Sequence, residues 1–412
     1  MRIKDITLAP SGREKIEWVK SYTPVMGIIE KEFRTAKPFA GKKIAMSIHL
    51  EAKTAYLAMI LRAGDAEVSV TGCNPLSTQD DVAAALAAEG FEVNAVHGAT
   101  PEEYTRDLTA ALSCCPDLII DDGGDFIGLL HSSCRAYGKN LIGGCEETTT
   151  GIHRLRSRER EGKLDYPMID INDADCKHLF DNRYGTGQSV FDAIMHETNL
   201  VIAGKRVVIA GYGWCGKGAA MRAKGLGAIV YVTEVDPVRA IEAVMDGFTV
   251  LPMNRAAEIG DIFLTLTGCR DVITKKDMVK MKDGVLLANA GHFDVEINKN
   301  DLLSLAEEVT LRKPSVTGYR LSDGRVLNLL AEGRLVNLAA GNGHPAEIMD
   351  MSFSLQAKCL EYLATKGFLL EHRVYDVPKE IDREVALLKA RALKAEIDVL
   401  TPEQIAYLNA AE

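Results

Sequence analysis

Three glycines in the 412-residue chain have the type and spacing to hold the phosphates of a dinucleotide. Gly211, Gly213 and Gly216 follow the apolar run 207–210 in G-x-G-x-x-G spacing and open a helix-forming segment. In this spacing the glycines allow a tight turn, a close approach of the backbone to a pyrophosphate, and close packing of helix on strand. The start of the helix adds free N–H groups and a dipole that favours phosphate.

An acidic residue follows the second predicted strand, at the position where dinucleotide-binding domains carry the acid that binds the ribose. A second apolar run, 229–232, ends shortly before Glu234. A carboxylate at that place accepts hydrogen bonds from a ribose 2′-hydroxyl, which favours NAD over NADP. The glycine motif alone is also compatible with an ordinary turn between a strand and a helix. The complete order of strand, glycines, helix, strand and acid predicts NAD binding.

Acids, a lysine and histidines that could transfer protons follow other predicted strands. Taken singly, an Asp beside Gly can be a turn residue, a lysine can be a solvated charge on a helix, and a histidine after Gly can simply begin a loop or a helix. Taken together, they lie at the carboxyl ends of strands, where ligand contacts gather in α/β sheets, and they favour acid–base chemistry in one cleft. These residues are His49, Asp121, Asp122, Asp125, Glu146, Glu147, Thr148, Thr149, Thr150, Asn172, Lys177, Asp181, Asn182, His292 and His344.

Segments that alternate short apolar runs with helical patterns must position these residues. Such alternation predicts parallel sheets with helices on both faces. In the first part of the chain we predict strands at 43–48, 67–71, 92–96 and 118–120, and helices at 54–62, 80–89 and 102–112. In the second part we predict strands at 207–210, 229–232, 262–265, 285–289 and 336–338, then a long amphipathic helix at 345–365 and a helical tail at 380–412.

The predicted fold class is α/β, with two doubly wound, Rossmann-like parallel-sheet domains around a central cleft and a helical C-terminal tail. Ligands bind in clefts between domains of this kind. The chain is expected to cross the cleft near 183–190 and again near 340–345. We assign a substrate-binding domain to 1–182 and 345–385, an NAD-binding domain to 187–343, and the tail to 386–412.

The composition argues against several other classes of protein. A net charge of −10 and a pI near 5.5 disfavour nucleic-acid binding, which needs a basic surface. The longest apolar runs are too short to span a bilayer, and the N-terminus has no signal-peptide pattern. Nine cysteines without a C-x-x-C pair indicate reduced thiols. We therefore expect a cytoplasmic protein that binds no nucleic acid, membrane or metal.

Along nearly its whole length the chain resembles the S-adenosylhomocysteine hydrolase family. Seven ordered motifs make this resemblance specific. They are NPLSTQDDVAAAL (74–86), DDGGD (121–125), EETTTG (146–151), FDNRYGTGQS (180–189), AGYGWCGKG (210–218), GHFDVEI (291–297) and AEGRLVNLAAGNGHP (331–345).

The resemblance implies an enzyme that hydrolyses a nucleosyl-homocysteine thioether with tightly bound NAD and no net oxidation. Transient oxidation of the ribose 3′-hydroxyl to a ketone makes the C4′ proton acidic, and its removal lets the 5′ thiolate leave as homocysteine. Water then adds to the enone, and the ketone is reduced again. An ordinary dehydrogenase would instead accumulate NADH with product. The resemblance also implies a small-molecule substrate and a homotetramer.

The matching motifs carry the catalytic roles of the family onto this chain. Glu147 and Lys177 would hold and deprotonate the 3′-hydroxyl, and Asp181 would bind the ribose hydroxyls. A lysine beside the positive charge of NAD can have its pKa lowered, as a general base needs. A regulator that only binds NAD would need no such acid–base set. The full catalytic set is His49, Asp122, Glu147, Lys177, Asp181 and His292.

The resemblance also assigns contacts to the cofactor and to the purine base. The residues assigned to NAD are Thr148, Thr149, Thr150, Asn182, Gly211, Gly213, Gly216, Glu234, Asp236, Asn289 and Asn337. The residues assigned to the base are Glu51, Lys53, Thr54 and His344.

The base-recognition segment departs from the family. The common motif is His-x-Thr-x-Glu/Gln-Thr, whereas residues 49–54 read His-Leu-Glu-Ala-Lys-Thr. The resemblance places Lys53 at the 6-substituent of the purine and Glu51 near N1. Hypoxanthine has an acceptor at O6 and a donor at N1–H, and adenine has the reverse. Because a lysine only donates and an ionised glutamate only accepts, this pair favours hypoxanthine, and hence S-inosyl-L-homocysteine as substrate.

Two other interpretations of this pair stay open at the level of sequence. Glu51 could be a first-turn acid favoured by the helix dipole, with Lys53 pointing to water. A shifted adenine could also give its amino group to Glu51 while Lys53 donates to N1. S-adenosyl-L-homocysteine is therefore the alternative substrate.

Two further departures from the family are not expected to change the mechanism. Thr186 replaces a cysteine that the family often carries, and we expect the mechanism to be unchanged. The family usually continues into a Lys- and Tyr-bearing extension that reaches the NAD of a neighbouring subunit, whereas this sequence ends at Glu412. We expect that contact to be missing and NAD to be held less tightly.

Overall fold

A computed structural model describes residues 1–410 and contains one seven-stranded and one eight-stranded sheet. The strands are β1 (Lys43–Ser47), β2 (Glu67–Thr71), β3 (Glu92–Asn94), β4 (Leu118–Asp121), β5 (Gly143–Glu146), β6 (Met168–Asp170), β7 (Arg206–Ala210), β8 (Ile229–Thr233), β9 (Thr249–Val250), β10 (Ile262–Thr265), β11 (Leu286–Asn289), β12 (Ala306–Lys313), β13 (Val316–Leu321), β14 (Val326–Leu330) and β15 (Val374–Asp376).

Helices connect nearly all of these strands. The α-helices are α1 (Ala9–Ser21), α2 (Pro24–Ala36), α3 (Ala52–Ala63), α4 (Asp80–Ala88), α5 (Pro101–Leu112), α6 (Asp125–Leu130), α7 (Thr149–Arg160), α8 (Asp175–Lys177), α9 (Thr186–Thr198), α10 (Trp214–Gly225), α11 (Pro237–Met245), α12 (Met253–Ile259), α13 (Lys275–Met278), α14 (Lys299–Leu305), α15 (Val336–Ala339), α16 (Ala346–Lys366), α17 (Lys379–Ala392) and α18 (Pro402–Asn409). A π-helical segment covers His178–Gly185, and short 3₁₀ turns cover Ile6–Leu8, Pro75–Ser77, Arg135–Asn140, Ala331–Gly333 and Gly367–Leu369.

The first sheet is entirely parallel, in the order β15-β6-β5-β4-β1-β2-β3. The chain starts at β1, builds outward through β2 and β3, and then returns to the other side of β1 with β4. Ligands bind where the strand order reverses in this way, because the connecting loops diverge there. The carboxyl ends of β1 and β4 therefore open one side of the cleft.

The second sheet has the order β12-β13-β14-β11-β10-β7-β8-β9, and its reversal point lies between β7 and β10. The glycine turn follows β7, so it lies at that point. The strands from β14 to β9 are parallel, whereas β12, β13 and β14 form antiparallel hairpins. After this sheet α16 returns the chain to the first sheet, where β15 adds the seventh strand.

The central strands of each sheet are buried on both faces. In β1, Ile44 and Met46 face one hydrophobic core and Ala45 faces another, because successive residues of a strand point to opposite sides. Val207 and Val208 of β7 likewise face opposite cores. Burial on both faces explains why these strands appear in the sequence as nearly continuous apolar runs. The α/β class with two Rossmann-like sheets and a C-terminal helix is thus confirmed.

Two predicted elements are wrong. Residues 336–338 are not a strand but belong to helix α15, and the place beside β11 is taken by β14. A short apolar run cannot be assigned to helix or strand by its periodicity alone. The tail predicted as helical at 380–412 is interrupted between α17 and α18 by irregular chain at 393–401, and residues 411 and 412 lie outside the described part. Within residues 1–410, every helix is too short or too polar to cross a bilayer.

Candidate active site

The candidate site lies where strand ends of both sheets meet. His49 follows β1, Asp122 follows the neighbouring β4, and Glu147 follows β5. His292 comes from the loop after β11 of the other sheet, and its ring centroid lies 6.1 Å from that of His49. Gly123 has φ 111° and no room for a Cβ, because the His292 ring packs against it. The two sheets therefore face each other closely across one cleft.

Asp122 lies at the centre of a buried cluster of proton-transfer groups. Its carboxylate oxygens lie 3.5 Å from His49 Nε2 and 3.7 Å from His292 Nδ1, and the thiol of Cys73 donates to it at 3.1 Å. His49 Nδ1 lies 2.6 Å from the hydroxyl of Ser77, which fixes the orientation of the ring. Burial lowers the pKa of His49 to about 4, so the ring is neutral at neutral pH and can accept a proton.

Lys177 is the centre of a second buried cluster. Its ammonium donates to Asn182 Oδ1 at 2.8 Å and lies 3.5 Å from Glu147 Oε1 and 3.4 Å from Asp181 Oδ2. Burial raises the pKa of Glu147 to about 7 against the lowering effect of Lys177. Burial would lower the pKa of Lys177, but the charges of Asp181 and Glu147 outweigh it and raise that pKa above its usual range. The protein's own groups thus oppose the lowered lysine pKa expected from the sequence.

Asp181 connects this cluster to the second crossing of the cleft. It accepts a hydrogen bond from His344 Nδ1 and another from Ser352 Oγ at 2.9 Å. His344 Nε2 also lies 3.1 Å from Thr186 Oγ1 at the first crossing. Burial would raise the pKa of Asp181, but Lys177 and His344 hold it well below its usual range. Asp181 is therefore ionised at neutral pH and can accept hydrogen bonds.

The base-recognition segment leads into α3 and includes its first three residues. Glu51 is the residue that caps this helix, and its Oε2 accepts hydrogen bonds from Lys53 N at 3.0 Å and pairs with Lys53 Nζ at 2.8 Å. Lys53 also donates to the carbonyl of Asn342 at 3.1 Å. Both Glu51 and Lys53 are buried, at 4% and 6% exposed, so the interpretation with Lys53 in water is wrong. The hydroxyl of Thr54 donates to the carbonyl of His49 at 2.6 Å.

The glycine turn has the shape that a dinucleotide needs. Gly211 has φ 99°, a left-handed conformation that favours glycine, and a Cβ on Gly216 would overlap the carbonyl of Gly211. Glu234 lies beside the turn and accepts a hydrogen bond from Tyr212 N at 2.7 Å. Asn337 is buried, and its Oδ1 has no hydrogen-bond partner within residues 1–410. These residues fit NAD, because the backbone can approach phosphates and unsatisfied polar atoms can meet a ligand.

Five other residues assigned to NAD fall into two groups. Thr148, Thr149 and Thr150 lie at the start of α7 on the rim of the cleft, partly or fully exposed, and thus accessible to a ligand. Asn289 and Asp236 are occupied by the protein itself. Asn289 bonds Thr265, Gly291, Phe293 and Gly333. Asp236 caps α11 by accepting from Val238 N and Arg239 N.

Two fully buried acids accept hydrogen bonds from the backbone of the loops that carry the site. Asp121 accepts the N–H groups of Phe126 and Ile127 at the start of α6, and burial raises its pKa to about 7. Glu146 accepts the N–H groups of Gly123 at 2.9 Å and Thr148 at 3.0 Å. Glu146 therefore holds together the loop that carries Asp122 and the loop that carries the threonines.

Sequence reasoning missed several polar partners of the site. Ser352 and Gln356 are one helical turn apart in α16, and Gln356 Nε2 donates to Glu147 Oε2 at 2.5 Å. The amphipathic pattern of α16 suggested a solvated polar face, whereas both side chains are 0% exposed. The sequence did offer one indication of these partners. Ser352 and Gln356 are four residues apart, so they lie on the same face of a helix that connects the two domains. Cys73 and Ser77 had no comparable signal.

Two family models match most of the chain. Residues 1–142 match the model of the family described as S-adenosyl-L-homocysteine hydrolase, and residues 182–343 match the model of its NAD-binding domain.

Curated relatives carry two different names. The chain is similar to the S-inosyl-L-homocysteine hydrolase of Methanocaldococcus jannaschii, with 56% identity over 99% of this chain and 98% of the relative. It is similar to the protein of the same name from Methanopyrus kandleri, with 54% identity over 100% of this chain and 97% of the relative. It is also similar to the adenosylhomocysteinase of Pyrococcus abyssi, with 55% identity over 99% of this chain and 96% of the relative.

Proposed function

The chain belongs to the S-adenosyl-L-homocysteine hydrolase family, and we propose that its substrate is S-inosyl-L-homocysteine, which it hydrolyses reversibly to inosine and L-homocysteine. Membership makes it a thioether hydrolase that uses NAD. Relatives of both names have nearly equal identity, at 56% and 55%, so overall similarity does not separate the two bases. The two bases can therefore be distinguished only through the residues assigned to the base.

The buried Glu51–Lys53 pair carries the proposal. An ammonium group has three protons, and Lys53 uses two of them on Glu51 and Asn342. Within residues 1–410, Glu51 Oε1 accepts no hydrogen bond, because both contacts of the carboxylate use Oε2. The pair thus offers one donor and one acceptor, which match O6 and N1–H of hypoxanthine.

Adenine would meet this pair with the opposite polarity. Its 6-amino group would face the remaining proton of Lys53, and its N1 would face the carboxylate of Glu51. A buried polar group left without a partner costs about 1–3 kcal/mol. The shifted adenine considered above would have to move Lys53, which is held on two sides.

Proton transfer at the 3′-hydroxyl is the proposed role of the Lys177 cluster. NAD, when bound, supplies reversible oxidation of the ribose C3′. Glu147 and Lys177 lie 3.5 Å apart. Glu147, whose pKa near 7 suits an exchange of protons at neutral pH, takes the proton that leaves the hydroxyl, and the charged Lys177 holds the oxygen. Asp181, which stays ionised, accepts hydrogen bonds from the ribose hydroxyls. Gln356 keeps the carboxylate of Glu147 in place.

The His49–Asp122–His292 cluster is proposed to act at C4′ and C5′. A neutral His49 accepts a proton there, and Asp122 stabilises the imidazolium that forms. The same groups return a proton when water adds. His292 comes from the other sheet, so both sheets contribute to the cluster.

We also propose that the subunits form a homotetramer located in the cytoplasm. Exposed apolar side chains on α11 support an interface there, with Val238 72% and Met245 82% exposed in the single subunit. The nine cysteines are all free thiols, which supports a reducing compartment. Light scattering on the purified protein measures the assembly directly.

A pair of synthesis assays tests the choice of base. The protein with NAD receives homocysteine and either inosine or adenosine, and the thioether is measured by mass. We expect faster turnover with inosine. In the double variant Glu51→Thr and Lys53→Gln, which carries the common motif of the family, we expect the ratio of rates to shift toward adenosine by about tenfold or more. Threonine also caps helices well, so α3 keeps its start.

Lys358→Met is the matched control for this experiment. Lys358 is a largely buried lysine of the same domain that pairs with Glu361 at 2.8 Å, away from the cleft. We expect it to leave the ratio unchanged. A higher rate with adenosine in the unaltered protein would overturn the proposal and assign S-adenosyl-L-homocysteine as the substrate.

A further inference from the structure

We infer that Lys53 also fastens the loop 340–344 across the cleft, so that recognition of the base and closure of the two domains depend on one ammonium group. The inference rests on the proposed function for the identity of the base. The fastening itself rests on contacts within the protein.

The contact joins parts of the chain that are 289 positions apart. Lys53 belongs to α3, which packs on the first sheet, and Asn342 belongs to the loop that leaves the second sheet. The ammonium donates to the backbone carbonyl of Asn342 at 3.1 Å. Glu51, on the same helix as Lys53, holds the ammonium from the other side at 2.8 Å.

Burial shows that the loop covers the ammonium. Lys53 is 6% exposed, whereas Gly341 and Asn342 above it are exposed. Gly343 has φ 68°, its N–H donates to Asn337 O at 2.8 Å, and the position of a Cβ on it would lie 3.9 Å from Lys53 Nζ. The loop therefore turns tightly over the lysine and back to Asn337, a residue assigned to NAD.

The next residue of the loop extends this connection to the catalytic cluster. His344 pairs with Asp181, which lies 3.4 Å from Lys177 Nζ. A loop fastened by Lys53 thus holds His344 against Asp181 at the same time. Release of the loop would loosen both contacts and open the cleft at the base end.

The three protons of the ammonium give this arrangement its selectivity. With hypoxanthine, one proton goes to O6 while Glu51 and Asn342 keep the other two. With adenine, the amino group meets a donor, and Lys53 relieves the conflict only by leaving Asn342, because Glu51 lies on its own helix. A mismatched base is therefore expected to bind the open cleft and to fail in closure, which lowers kcat more than it raises KM.

Hydrogen exchange of the NAD-loaded protein tests the fastening. In Lys53→Met we expect amides in the peptide 338–345 to exchange about tenfold faster than in the unaltered protein, because a charge-assisted bond to the loop is lost. Lys358→Met, which removes a buried lysine far from the loop, is expected to leave this peptide unchanged. Should Lys53→Met not fold, Lys53→Gln gives the same comparison with a shorter polar side chain.

Ligands distinguish this inference from the proposed function. Inosine should slow exchange in 338–345 in the unaltered protein, and adenosine should not. Equal exchange in Lys53→Met and the unaltered protein would overturn the fastening, even where the preference for inosine stands. A preference for adenosine, with faster exchange in Lys53→Met, would overturn the proposed substrate and keep the fastening.

Discussion

At the scale of single residues, the Lys177 cluster and the His49–Asp122–His292 cluster differ in charge and are proposed to carry out different proton transfers. The Lys177 cluster is strongly polar, with a cation between two carboxylates that lie within 3.5 Å of it. The His49–Asp122–His292 cluster holds a neutral His49 ring beside one carboxylate. This division suits the proposed reaction, since the first group handles a hydroxyl proton and the second a carbon-bound proton.

Lys177→Gln is predicted to lower kcat by about 10²–10⁴-fold while the purified protein keeps its NAD. The amide can still donate to Asn182, but it carries no charge with which to hold the oxygen of the 3′-hydroxyl as its proton leaves. The measurements are turnover and NAD content, with Lys358→Met as the control. Unchanged turnover in Lys177→Gln would remove Lys177 from the mechanism.

The lowered pKa of His49 predicts a change in how stability depends on pH. Its folded-state pKa of about 4 lies below the ordinary 6.5, because burial disfavours the charged ring. Protonation therefore favours the unfolded chain, and this contribution is present above pH 6.5 and is lost as the pH falls toward 4. The free energy involved is roughly 3 kcal/mol.

His49→Gln should accordingly lose less stability than the unaltered protein between pH 6.5 and pH 4. Urea unfolding at several pH values measures the difference, and His153→Gln, at an exposed histidine, serves as the control. Parallel pH profiles for His49→Gln and the unaltered protein would show that His49 is not held neutral by burial.

At the scale of elements, the sequence correctly predicted the helices and strands whose residue pattern is compatible with one type of element only. Strands such as β2 and β10 agree at both ends, because burial on both faces makes them unbroken apolar runs between turn residues. Helix α15 was missed because its apolar run is too short to show a period. The polar partners in α16 were missed because a buried Ser or Gln looks like a solvated one in the sequence.

The turn between β7 and α10 yields a prediction at this scale. Gly216→Ala should weaken NAD binding by about tenfold or more and lower the free energy of unfolding by about 1–3 kcal/mol, since the new Cβ would overlap the carbonyl of Gly211. Gly225→Ala, on the same helix with open space around it, should change stability by less than about 1 kcal/mol. Normal NAD binding in Gly216→Ala would contradict the assigned role of the turn.

At the scale of the whole molecule, the decisive contacts join distant parts of the chain. The resemblance identified His292 and Lys53 as site residues. The sequence pattern does not predict that His292 contacts Asp122, or that Lys53 contacts Asn342. Those contacts arise because α16 brings the chain back to the first sheet and the two reversal points then face one cleft. The proposed preference for a base therefore depends on contacts across the cleft and not on the segment 49–54 alone.

A competition assay tests this account most directly. The NAD-loaded protein receives homocysteine with equal amounts of inosine and adenosine in one vessel, and the two thioethers are measured together by mass, so that their ratio reports the ratio of kcat/KM. The account predicts S-inosyl-L-homocysteine in excess by about tenfold or more. An excess of S-adenosyl-L-homocysteine would contradict it.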